Sequence, residues 1–376
     1  MADRRSFLKG TAALAGVSAM GLPRSAWAQR ENEMNILCWE GYNTDQVLGP
    51  FRERHPGATV RAESGTSDPD MINKLRAGEV NVWDLINVNQ PWARQRMYPE
   101  GLIRPMDKAA FEGYFKDMLP AFQNYPLAYD ESGEHLLGMV QRFGPFSFVV
   151  NTEKISQEMA EDQGFKLFLD PSMNKKYGVL TYDNWNIMHM CMAADLNPFE
   201  PMPDDGESRF EEVARQIFGG ATLASEDLVT MNTALINGEI DAYFTGGVYT
   251  ASPARYDGQT QVRAITPRSG PVDGKSGIVW VELTSLVNNP NPSPLAEDFL
   301  HFINEPDICK AVAFSEGTYN PVSQMGREDV MEKFDEEELE AIQWSELEED
   351  IDRCVEYGVV ADYDRLIEIY NAARRG

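Results

Sequence analysis

The sequence has 376 residues, too many for one ordinary core, and a share of about 150 residues per domain makes two or three units. A hydrophobic content of 43% and an aromatic content of 10% exclude a disordered chain. The formal charge of -27 argues against nucleic acid as a partner; such acidity draws cationic ligands toward a surface, and it also serves as a solubility adaptation to salt, the plainer reading.

The chain opens Asp3-Arg4-Arg5-Ser6-Phe7-Leu8-Lys9, continues through a weakly apolar Gly/Ala-rich run from Gly10 to Leu22, and reaches Ala26-Trp27-Ala28. These are the three regions of an export signal of the twin-arginine type, residues 1–28, with cleavage expected after Ala28. The removed segment carries Arg4, Arg5, Lys9 and Arg24 against Asp3, a net +3, which leaves -30. No cysteine follows the cleavage site and no later run approaches the ~20 apolar residues of a membrane helix, so a soluble mature protein is expected.

From Met34 the pattern predicts a strand at Met34 to Trp39, a helix at Thr44 to His55, a strand at Ala58 to Glu63, a helix at Pro69 to Ala77 and a strand at Trp83 to Val88. A second series has strands at Phe146 to Val150 and Val179 to Thr181, a helix over Ser225 to Asn237 capped by Ser225 and closed by Gly238, and a strand at Ile240 to Phe244. An extended run over Gly277 to Val287, helices at Pro294 to Asn304 and Pro306 to Glu316, and acidic C-terminal helices follow. Alternation of this kind predicts an α/β protein with mainly parallel sheets. No Pro/Gly/Ser linker separates two halves, so two lobes joined by several crossings are expected.

Chemistry for catalysis is sparse. His55, His135, His189 and His301 form no HExxH-type spacing, and there is no GxSxG elbow, P-loop or GxGxxG. His189 lies two residues before Cys191 on an apolar segment, a pair read as packing in preference to a soft-metal site. Cys38, Cys191, Cys309 and Cys354 show no CxxC spacing, and one bridge between them is left open. No cofactor or metal is expected.

Aromatic and acidic residues instead cluster after predicted strands, where α/β sheets open their ligand crevices. These are Trp39-Glu40-Gly41-Tyr42, Asn89-Gln90-Pro91-Trp92, Asp183 with Trp185, Tyr243, and Trp280 with Glu282, the last two on one face of a strand. An alkylammonium ligand wants both partners: ring faces for the cation and its methylenes, carboxylates for its N–H groups. Arg142, in Gln141-Arg142-Phe143-Gly144, would suit a ligand carboxylate if it faces the crevice, and would say nothing if it pairs with an acid outside it.

The chain resembles the periplasmic spermidine/putrescine-binding proteins of ABC importers. The resemblance is carried by Asn35 to Tyr42 with its Trp-x-x-Tyr, Trp83 to Val88, Glu100-Gly101-Leu102-Ile103 with Asp107, Gly144-Pro145-Phe146 into Val150-Asn151, Gly238-Glu239 to Gly246, Glu305 to Lys310, and Gly317 to Pro321. It implies a two-lobed type II periplasmic-binding-protein fold that closes on its ligand, with residues 29–143 plus 279–322 in one lobe and 144–278 plus 323–376 in the other. Trp39, Tyr42, Trp92, Trp280 and Tyr319 match the family's stacking aromatics. Asp183 and Glu282 match acidic positions that hold amines, with Glu where the family usually has Asp. Asn186 and Thr245 stand where polyamine binders tend to have a further acid and a Trp.

The expectation is therefore a monomeric, non-enzymatic periplasmic receptor. It would bind a small amine such as putrescine or spermidine through Trp39, Tyr42, Trp92, Asp183, Tyr243, Trp280, Glu282 and Tyr319, and pass it to the permease and ATPase subunits of an ABC importer. Two rivals stay open: an amino-acid-like, opine-like or betaine-like zwitterion held through Arg142, and an exported enzyme.

Overall fold

A computed structural model describes residues 30–65, 67–315 and 317–376; the expected export signal, residues 1–28, lies outside them. Twelve strands are found among the described residues: β1 (Glu33–Cys38), β2 (Thr59–Ser64), β3 (Leu85–Asn89), β4 (Met139–Asn151), β5 (Tyr177–Leu180), β6 (Leu223–Ser225), β7 (Ala242–Gly247), β8 (Val262–Ile265), β9 (Gly277–Leu286), β10 (Phe314–Ser315), β11 (Thr318–Tyr319) and β12 (Cys354–Glu356). The main sheet runs β2-β1-β3-β9-β4-β7-β5-β6, with β8 on β4 and β12 on β9.

This order is two α/β half-sheets fused through two long strands. In the first, β2, β1 and β3 are parallel; in the second, β6, β5 and β7 are. Strands β4 and β9 run antiparallel to each other and, within the main order, to β7 and β3, while the short β12 joins β9 in parallel; the two long strands serve both halves. Residues Met139 to Phe146 of β4 pair with β9, and Phe146 to Val150 pair with β7. Strand β9 meets β12 at Gly277 to Val279 and β3 at Glu282 to Leu286. Every residue of β4 and β9 is buried, as strands covered on both faces must be.

The elements follow their local chemistry. The helix Asp68–Arg76 starts at Ser67, whose hydroxyl accepts from the Asp70 N–H, with Pro69 in the first turn. The helix expected to be capped by Ser225 begins later, at Leu228, because Asp227 accepts from the N–H groups of Val229 and Thr230 while Ser225 completes β6. Gly238, at φ +72°, closes it as expected. The crossing strand read as Phe146 to Val150 starts seven residues earlier, at Met139. Gly144 and Pro145 inside it resemble a break, but Gly144 is needed for a close ring contact described below.

The C-terminal segment touches both halves. Ser323 and Gln324 donate to the Val140 carbonyl on β4, the helix Glu336–Ala341 packs on the helix Val248–Tyr256, and the last helix, Tyr363–Arg375, packs on Gly206–Gly220. The cysteine bridge left open by the sequence does not form, since Cys191, Cys309 and Cys354 are buried thiols. His189 is buried among Phe146, Phe165 and Trp185 with Nδ1 2.9 Å from Thr245 Oγ1, and burial pushes its pKa down to about 3. Among the described residues no helix is long and apolar enough to cross a membrane, and no cluster of His, Cys, Asp and Glu could hold a metal ion.

Candidate functional site

Parallel strands of both halves end toward the junction between the lobes, the position where α/β sheets open a crevice. Trp39 and Glu40 follow β1, Asn89 to Trp92 close β3, Tyr182 and Asp183 follow β5, and Tyr249 follows β7. Contacts across the junction show that these ends meet. The Tyr249 hydroxyl of the second half donates to Glu40 Oε1 of the first at 2.6 Å, and on the second half's side of the junction the Asn184 amide donates to the Tyr357 hydroxyl at 2.8 Å.

The floor is laid by β9. Trp280 and Glu282 are two residues apart and share a face; Trp280 pairs with Gly144 of β4, and Glu282 with Asn89 of β3. A Cβ at Gly144 would stand 3.3 Å from the Trp280 indole nitrogen, so glycine here lets the ring lie against the crossing strand. Tyr249 meets the Trp280 ring edge-on, with centroids 6.5 Å apart.

Glu282 is fully engaged. Its Oε2 accepts from Arg142 Nε at 2.9 Å and from the Tyr42 hydroxyl at 2.8 Å, and its Oε1 accepts from Arg142 Nη2 at 2.8 Å. Arg142 is only 2% exposed; Nη2 also donates to the Glu40 carbonyl, and the guanidinium lies over the Tyr42 ring. Burial alone would lower the Arg142 pKa, but Glu282 beside it more than reverses this and holds the cation. Burial also lifts the Tyr42 hydroxyl well above its usual pKa, with Glu282 adding to the effect, so it stays a donor. Arg142 Nη1 and the indole N–H groups of Trp39 and Trp92 are buried without an acceptor.

A second carboxylate stands close by. Asp68, 3% exposed, accepts at Oδ1 from the Asn89 N–H and at Oδ2 from the Asn89 amide, 3.1 and 2.9 Å. Asn89 is the residue paired with Glu282, so the two acids flank one rung of the sheet. Among the described residues no Lys, Arg or His forms an ion pair with Asp68. Burial raises its pKa to about 6, against the hydrogen bonds from Asn89. Trp185, half-buried, packs on Phe146 and Tyr357 at the same edge.

No family model matches the chain. A curated sequence relative is the spermidine/putrescine-binding periplasmic protein of Salmonella typhimurium, 22% identical over 310 residues, 82% of each chain. The chain is similar to the periplasmic spermidine/putrescine-binding proteins over most of its length. Among solved structures, the spermidine/putrescine ABC transporter substrate-binding protein of Streptococcus pneumoniae superposes with a TM-score of 0.65 at 14% identity, covering 91% of this chain and 99% of that one. A periplasmic binding protein of A. tumefaciens B6 in complex with glucopine gives 0.61 at 12% identity, covering 91% and 99%. The fold is that of the two-lobed type II periplasmic binding proteins.

Within this relative of the polyamine-binding proteins, the structure gathers Trp39, Tyr42, Trp280 and Glu282 at the junction, with Trp92 beside Asp68. Arg142 takes neither role foreseen for it alone: it faces this site, and its partner is Glu282. Asp183 is half-exposed at the start of the helix Asp183–Ala193, 3.4 Å from Arg374 Nη1 of the last helix. Tyr243 is fully buried beneath the helix Leu228–Ile236, its hydroxyl committed to Asn232 and Thr250, so it braces the second lobe. Tyr319 stacks on Phe314, and both its backbone N–H and carbonyl are tied to the Ser252 hydroxyl. Sequence reasoning named Glu40 in the cluster after β1 but left it out of the expected binding residues, and it passed over Asp68, Tyr182, Tyr249 and Tyr357. Glu40 stood inside the Trp-x-x-Tyr motif, whereas Asp68 looked like part of a helix start.

Proposed function

We propose that this protein is the periplasmic solute receptor of an ABC importer, and that it closes its two lobes on a cationic amine without catalysing a reaction. The observation that carries the choice of ligand is the charge at the junction. Glu282 is matched by Arg142, whereas Glu40 and Asp68 face the lobe contact with no cation ion-paired to them among the described residues. An ammonium group supplies the missing charge, and the rings of Trp39, Trp280, Tyr182 and Tyr249 offer faces to its methylenes. The names of the relatives put putrescine and spermidine first among the amines to try. Ligand bridging Glu40 of one lobe and Tyr249 of the other favours the closed population, which is the form a permease would recognise.

Titration calorimetry with putrescine and spermidine tests this. Wild-type protein binds at least one of them, and Glu40→Gln weakens it by about 10-fold or more, the value of one charged hydrogen bond. Binding unchanged by Glu40→Gln would remove that carboxylate from the site.

A specific observation supports a second reading. Arg142 Nη1 and the Trp39 indole N–H lack acceptors, and a bare polyamine has none to offer. An amine that also carries a carboxylate would satisfy them. Ornithine in the same titration separates the two: tighter binding than putrescine selects the zwitterion.

A further inference from the structure

Asp68 has the properties of a group held in readiness. It is nearly fully buried, and its regular hydrogen bonds come from the two N–H donors of Asn89. The Trp92 indole lies near enough for its N–H to help hold the charge, yet makes no regular hydrogen bond there. The Tyr357 hydroxyl, brought in from the C-terminal segment and fixed by Asn184 of the second lobe, also feels this charge. A carboxylate in such a place is unfavourable to the folded protein by itself, and a purely structural role at this helix start would be filled as well by a neutral Asn or Ser.

We propose that Asp68, walled by Trp92 and Tyr357, is a second ammonium anchor on the far side of Asn89 from Glu282, so that ligand is held at two points along the junction. This rests on the receptor reading above and extends it to a residue for which the sequence showed no binding role. Bound ammonium replaces the cation that Asp68 lacks. The anchor includes groups from both lobes, Asp68 and Trp92 from the first and Tyr357 held by Asn184 from the second, so filling it draws them together. The groups facing Asp68 are Asn89 from β3, Trp92 behind it, Glu282 from β9 and Tyr357. Glu282 is the other carboxylate among them, and Arg142 is ion-paired with it.

The test is Asp68→Asn, nearly isosteric, measured by calorimetry with putrescine, 1-aminobutane and ornithine at pH 7.5 and pH 5, together with unliganded thermal unfolding. The expected result has three parts. Affinity for the two-ended probe that wild type prefers falls about 10- to 100-fold, while 1-aminobutane changes by less than about 3-fold. Wild-type affinity weakens at pH 5, where Asp68 takes up a proton, and the variant loses that share of the pH dependence. The unliganded variant melts at or above the wild-type temperature, because a buried uncompensated charge has gone. A variant that binds like wild type overturns the anchor and leaves the receptor reading standing. A variant that melts lower while binding all three probes uniformly more weakly makes Asp68 a structural residue and also overturns it. Wild type that binds none of the probes sinks the receptor reading and the anchor together.

Discussion

Replacing Arg142 by Met should cost the fold far more than it would at a surface ion pair. The substitution keeps most of the buried stem but removes three hydrogen bonds, two to Glu282 and one to the Glu40 carbonyl. Glu282, 4% exposed, is left with the Tyr42 hydroxyl as its remaining donor among the described residues. Breaking a buried pair from one side costs about 3–5 kcal/mol, whereas exposed pairs are worth about 0–1. The loss is smaller at pH 5 than at pH 7.5, because burial already raises the Glu282 pKa and a lone Glu282 can take up a proton. Arg142→Met with Glu282→Leu removes both charges and should recover most of the loss. Urea unfolding of the four proteins gives the coupling directly, provided the slope is unchanged among them. Single variants each within about 1 kcal/mol of wild type would refute the reasoning, since the pair would then be solvated.

Three further outcomes follow from packing and charge. Gly247→Ala places a Cβ 2.3 Å from the Pro145 carbonyl oxygen on β4, and urea midpoints should report a loss of about 1–3 kcal/mol. Tyr243→Phe should lose about 0.5–1.5 kcal/mol in the same assay through its bonds to Asn232 and Thr250, with amine affinity unchanged; a sharp loss of affinity would return Tyr243 to the site. Asp350 is buried, and burial raises its pKa to about 7. The native state therefore holds a proton that the unfolded chain releases near pH 4, so this residue's share of stability falls as pH rises from about 4 to 7. Asp350→Asn should flatten the difference between urea midpoints at pH 5 and pH 8, and an unchanged difference would contradict the assignment.

The sequence disclosed the fold where local pattern and tertiary need agree. Strand β1, the helix Asp45–Arg54 and the strand β9 stand within a residue or two of their expected limits because periodicity and burial point the same way. Strand β4 was seen only in its second half, since Gly144-Pro145 looks like a turn and only the packing of Trp280 explains the glycine. At the site, Trp39, Tyr42, Trp280 and Glu282 were legible from their places after or along strands. What sequence could not show was pairing. Arg142 and Glu282 are 140 positions apart, and only the antiparallel contact of β4 with β9 brings them together. Asp183 looked like a free acid until the last helix put Arg374 beside it. Asp68 was hidden by Ser67-Asp68-Pro69, which reads as an ordinary helix start; its burial comes from β3 and the C-terminal segment.

The central claim is that an amine between the lobes is the natural ligand, and thermal unfolding of the ligand-stripped protein against putrescine, spermidine, ornithine, a betaine and neutral amino acids tests it most directly. A ligand present at 100 times its dissociation constant adds about 2.7 kcal/mol of stability. The account predicts a clear upward shift with at least one ligand that carries a free ammonium group on an alkyl chain, abolished by combining Glu40→Gln with Asp68→Asn. A shift confined to the betaine, which has no ammonium hydrogens, or no shift with any of the panel, would contradict it.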